Sequence, residues 1–76
     1  MSVQVYTTPS CGYCRMVKGY FQERGVKFTE YDVSRDQRKA EEMVRKSGQM
    51  GVPVVDINGK IIVGFDREKI DRSLRA

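Results

Sequence analysis

Apolar and polar residues alternate between two spacings along this chain, and the changes mark its elements. Val3-Gln4-Val5-Tyr6-Thr7 is a β-rich run that fits a buried strand. Thr8-Pro9-Ser10 reads as a loop, because Pro9 disfavours helical geometry at Thr8. From Cys11 to about Arg24 the apolar positions Tyr13, Met16, Val17, Tyr20 and Phe21 recur at helical spacing, and Gly25 supplies the stop. Lys27 to Val33 is a more polar strand, suited to a sheet edge. Ser34 and Gln37 form the two ends of a capping box, opening a helix that carries Ala40, Met43 and Val44 on one face and stops at Gly48.

The last third of the chain turns twice. Val52 to Ile57 and Lys60 to Val63 flank Asn58-Gly59, a strong hairpin signal. Phe65, Asp66 and Ile70 then fit a hydrophobic staple around an Asp66 N-cap, with a short helix running to Leu74. The predicted order is β-α-β-α-β-β-α, an α/β fold with a four-stranded mixed sheet and three helices. Two strands joined across a helix are expected to run parallel, with the hairpin adding antiparallel strands and the helices covering both faces. Cys11 then falls just beyond the carboxyl end of a parallel strand, where open α/β sheets place their ligands.

Composition narrows the class. Seventy-six residues make one domain, residues 1–76, near the lower limit for a single hydrophobic core. No apolar run approaches the roughly 20 residues of a membrane span. Met1-Ser2 leads straight into the first strand, so no signal peptide is expected and the cytoplasm is the expected compartment. The net charge of +4 is split evenly, +2 in residues 1–38 and +2 in residues 39–76. With Glu41-Glu42 followed by Arg45-Lys46, this reads as a mixed, solvated surface and argues against a nucleic-acid partner.

The chemistry lies in Cys11-Gly12-Tyr13-Cys14, which holds both cysteines of the chain. Residues three apart share a helix face and can close a small disulfide ring. Ahead of the first turn, Cys11 meets unpaired backbone N–H groups and the positive end of the helix dipole, which favour a thiolate. Cys14, a turn further in, is expected to be less exposed and poised to attack a mixed disulfide. A closed zinc site wants four Cys or His ligands, and two cysteines with no histidine supply half of that. Tyr6, Tyr20 and Tyr31 are read as packing residues and Met16, Met43 and Met50 as gap fillers, with a place at the groove border the alternative for Met50. Asp56 is read as a solvent-facing strand residue in preference to a buried carboxylate assisting proton transfer.

Together, the element order, the Cys11–Cys14 motif, Val52-Pro53 before the third strand and Gly64-Phe65-Asp66 before the last helix resemble the thioredoxin superfamily. Within it the chain is similar to glutaredoxins, and nearest among them to the NrdH-type redoxins. The resemblance implies a thioredoxin-like fold and a small thiol–disulfide oxidoreductase. Cys11 is then the attacking thiol, Cys14 the resolving one, and Tyr13 the wall of the substrate groove. It implies a cis bond at Pro53 that turns the Val52 backbone toward the cysteines. Gly64 and Asp66 match positions that hold the γ-glutamyl end of glutathione, and Lys18 matches a basic residue of the active-site helix. It implies no bound cofactor beyond the redox-active Cys11–Cys14 pair, with a disulfide-containing protein as substrate. Thioredoxin reductase or glutathione would be the reductant and the working form a monomer. Three departures weaken a glutathione site: Phe65 replaces a glycine, Thr7 and Thr8 occupy a stretch that commonly holds a basic residue, and Gly51 replaces a threonine. The alternative is a dimeric iron–sulfur carrier with Cys11 and glutathione as ligands, to which Gly12 in place of proline is suited.

Overall fold

A computed structural model describes residues 1–75; Ala76, the last residue of the expected domain, lies outside the described residues. The elements are β1 (Val3–Thr7), α1 (Gly12–Glu23), β2 (Thr29–Asp32), α2 (Gln37–Ser47), β3 (Val54–Ile57), β4 (Lys60–Val63) and α3 (Arg67–Arg75). The predicted order is correct throughout. The sheet runs β2-β1-β3-β4, with β1 and β2 parallel and the β1–β3 and β3–β4 pairs antiparallel. This is the thioredoxin-like fold.

Side-chain alternation along the strands builds two cores. On one face Val3, Val5, Val55, Ile57 and Ile62 pack with Val17, Tyr20 and Phe21 of α1 and Ile70 of α3. On the other, Tyr6 and Val54 meet Met43 of α2. That second interface is also polar. Lys46 Nζ reaches Asp56 Oδ2 at 2.8 Å and Tyr6 Oη at 2.7 Å, and the Tyr6 hydroxyl donates to Glu42.

Several local expectations are corrected. The cap of α2 is Asp36, whose side chain accepts from Lys39 N–H at 3.1 Å. Ser34 is drawn away instead, its N–H donating to Asp32 Oδ1 at 2.9 Å and its hydroxyl at 2.5 Å. Asp56 is buried rather than solvent-facing, because Lys46 supplies the counter-charge and Gly59 N–H donates to its Oδ1 at 2.8 Å. Met16 and Val44 lie on exposed flanks of their helices, and Met50 is exposed rather than filling a gap. The third strand starts at Val54, two residues later than expected, since Pro53 has no N–H to give a ladder.

Candidate functional site

Cys11 is the N-cap of α1, with extended backbone geometry, φ −97° and ψ 114°. A helix start leaves its first N–H groups without intrahelical partners. Here Cys14 N–H donates to Cys11 Sγ at 3.1 Å, so the sulfur does what a serine or aspartate oxygen does at other caps. The first turn holds no acidic side chain to compete for this electropositive end.

Cys14, one turn further in, is buried with 1% of its surface exposed. Burial pushes its thiol up to about 12, helped by the hydrogen bond and the charge of Cys11 and opposed by a backbone hydrogen bond from Thr8 and by the Lys18 ammonium. The two sulfurs are free and unequal: Cys11 is half-buried on the helix start, and Cys14 is a buried thiol one turn behind it.

The loop before β3 faces the pair. The Val52–Pro53 bond is cis, and the Cys11 thiol points at Val52 O, 3.9 Å away. Gly64 N–H donates to Pro53 O at 2.8 Å, tying the start of the α3 approach to the same loop. Gly64 has φ 83°, a left-handed conformation that favours glycine. Tyr13 stands out from α1 with 64% of its surface exposed, and exposed Met16 extends the apolar strip one turn along the helix.

The other expected groove residues are engaged elsewhere. Lys18 Nζ is paired with Glu30 Oε2 of β2 at 2.8 Å, and Thr7 Oγ1 donates to the same oxygen at 2.7 Å. The Lys18 hydrogen bond, then that of Thr7, holds the Glu30 carboxyl below its usual range. Asp66 caps α3, accepting from Lys69 N–H at 3.1 Å. Phe65 packs edge-on against Tyr20, with ring centroids 5.7 Å apart, and fills the seam between α1 and α3. Together with Met16, Arg24 and Arg67 it lines an open depression of about 430 Å³.

Sequence reasoning missed Glu30, the bond that Thr7 makes to it, and Gln49, whose carboxamide bonds both backbone groups of Gly51 beside Val52. Glu30 becomes legible only once β2 is registered against β1, because its partner Lys18 is on the helix between them. Gln49 has no pattern signal at all; it lies in the loop between Gly48 and Gly51. Among the described residues no group of three or more His, Cys, Asp or Glu side chains comes together as a metal site. Gly12 is the feature suited to the iron–sulfur alternative, and that alternative gains no further support among the described residues.

A thioredoxin-like sheet carrying a Cys-x-x-Cys at a helix start, facing the loop before β3, is the arrangement of a thiol–disulfide oxidoreductase. The chain belongs to the glutaredoxin family, whose model matches residues 3–62. It is 40% identical over 70 residues to an uncharacterized glutaredoxin-like 8.6 kDa protein in the rubredoxin operon of Clostridium pasteurianum, covering 92% of this chain and 93% of that one. It is 35% identical over 65 residues to glutaredoxin 3 of Escherichia coli, covering 86% and 78%. Among solved structures, the glutaredoxin-like protein NrdH-redoxin from Escherichia coli, which has a thioredoxin-like activity profile, superimposes with a TM-score of 0.85 at 30% identity, covering 95% of this chain and 93% of that one.

Proposed function

We propose that this protein is a small electron carrier that reduces protein disulfides through the Cys11–Cys14 pair, with no resident cofactor. The observation that carries the reading is the inequality of the two sulfurs around one helix start: Cys11 capped by an N–H and facing Val52, Cys14 buried behind it. The Cys11 thiolate attacks one sulfur of a substrate disulfide, forming a mixed disulfide and releasing the other sulfur as a thiolate. Cys14 then loses its proton to solvent and attacks Cys11 Sγ. The Cys11–Cys14 disulfide forms, the second substrate thiolate leaves, and the substrate has gained two electrons. An external dithiol or thiol reductant returns the pair to its starting state.

The geometry also supports a division of labour: Cys11 stands on the helix start facing Val52, and Cys14, one turn further in, lies buried behind it. The Val52 backbone, held toward Cys11, is suited to pair with an extended segment carrying the target disulfide.

Thioredoxin reductase is the reductant this reading favours. Asp66, one of the residues expected to hold glutathione, is committed to the α3 cap, Lys18 of the active-site helix is paired with Glu30, and Phe65 occupies a glycine position of the glutathione-binding pattern. NADPH-dependent insulin reduction, run once with thioredoxin reductase and once with glutathione and glutathione reductase, tests it. Turnover with the flavoenzyme alone is the expected result. Turnover with glutathione alone would overturn the choice of reductant, and none with either would overturn the function.

A further inference from the structure

The loop that delivers Val52 to the cysteines is closed by a side chain that the thiol chemistry does not use. Gly51 N–H donates to Gln49 Oε1 at 2.6 Å, and Gln49 Nε2 donates to Gly51 O at 3.0 Å. One carboxamide, with a donor and an acceptor in a plane, thus fills both pairing groups of Gly51 as an adjacent strand would. The same Nε2 also donates to Ser47 Oγ at 3.2 Å, and Ser47 Oγ donates to Met43 O at 2.7 Å in the last turn of α2. A chain of hydrogen bonds therefore runs from the end of α2 to the residue preceding Val52.

Gly51 is a working part of this arrangement. A Cβ built there would meet Gln49 Oε1 at 2.8 Å, closer than side chains tolerate. The clashing atom is the far end of a flexible side chain, so any larger residue at 51 evicts the carboxamide at little other cost. Glycine at this place is what lets Gln49 close.

We propose that Gln49 is a positioning residue for substrate docking: it occupies the backbone groups of Gly51, holds Val52 opposite Cys11, and confines pairing of an incoming extended peptide to Val52. The inference rests on the reading of the Val52 backbone as the docking edge. Pro53 has no N–H, and Gly51 is already paired, which leaves Val52 as the pairing residue of the segment. Holding the loop ready removes an ordering cost that each substrate would otherwise meet on binding.

The test uses Gln49→Ala, Gly51→Ala and the double variant, each assayed with insulin and with a small aromatic disulfide that needs no backbone pairing. Each single substitution is expected to raise KM for insulin about fivefold, ~1 kcal/mol at 1.4 kcal/mol per tenfold, with kcat unchanged. Reaction with the small disulfide stays at the unsubstituted rate. The double variant is no worse than either single one, because each removes the same contact. An unchanged KM for insulin, equal losses on both substrates, or losses that add in the double variant would each overturn the proposal. Failure of the unsubstituted protein to reduce insulin fails the functional reading itself, and the inference falls with it.

Discussion

Cys11 and Cys14 are one helical turn apart and differ in most of what governs a thiol. Cys11 takes a backbone N–H at the electropositive start of α1; Cys14 is buried, and burial is the main reason its thiol is pushed up to about 12. Replacing Cys14 with serine should stop the cycle after its first step. Mass spectrometry of Cys14→Ser with a disulfide substrate should show one stable mixed disulfide at Cys11, and full reductase turnover by that variant would refute the assignment of roles. A second expectation concerns pH. A thiol raised in the folded state contributes stability below its ordinary value near 9.0, and that contribution is lost as pH rises toward about 12. The melting temperature of the reduced protein should therefore fall more steeply above pH 9 than that of Cys14→Ser, which retains every other alkaline group. Parallel curves would show that Cys14 carries no such linkage.

At the scale of elements, the polar seam between α2 and the sheet is the feature that sequence pattern misread. Burial works against the charge of Lys46, but its hydrogen bonds to Asp56 and Tyr6 prevail and raise it well above the usual lysine value. Burial, then the bond to Glu42, pushes the Tyr6 hydroxyl up to about 12, while that bond in turn holds Glu42 below its usual range. Asp56 serves two elements at once, with Oδ2 on Lys46 of α2 and Oδ1 on Gly59 N–H in the hairpin turn. Asp56→Ala removes the nearest counter-charge of a partly buried ammonium and the acceptor of the Gly59 amide, which should cost ~1–3 kcal/mol in urea unfolding. Asp56→Asn keeps an acceptor for Gly59 and should cost clearly less. Equal losses would mean that the turn contact contributes nothing.

For the whole molecule, 76 residues leave a narrow margin of stability. Phe21 is fully buried where α1 meets the sheet and α3. Phe21→Ala should cost ~3–5 kcal/mol, against a total of roughly 5–15 kcal/mol for a domain. Far-ultraviolet circular dichroism should then show a marked drop in the urea midpoint or an unfolded chain; an unchanged midpoint would mean that Phe21 does not anchor this core.

Element order, the Asn58-Gly59 hairpin and the Asp66 cap were legible in the sequence because each rests on neighbours a few residues apart, and the parallel β1–β2 pair because a single helix joins the two strands. Spacing sets which face a side chain takes, and turn chemistry sets where the chain reverses. The dithiol was legible for the same reason, since Cys11 and Cys14 are one turn apart. What spacing could not decide was competition between equivalent local choices, as when Asp32 took Ser34 and left the helix cap to Asp36. Nor could it decide any contact whose partners are distant in sequence. The burial of Asp56 depended on Lys46 arriving from α2, the engagement of Lys18 on Glu30 arriving from β2, and the seat of Val52 on a loop closed by Gln49. A charge or amide carries no mark of its partner; only the packing of helices onto the sheet brings the two together, and that decided which polar residues of this protein surround its thiols and which hold its fold.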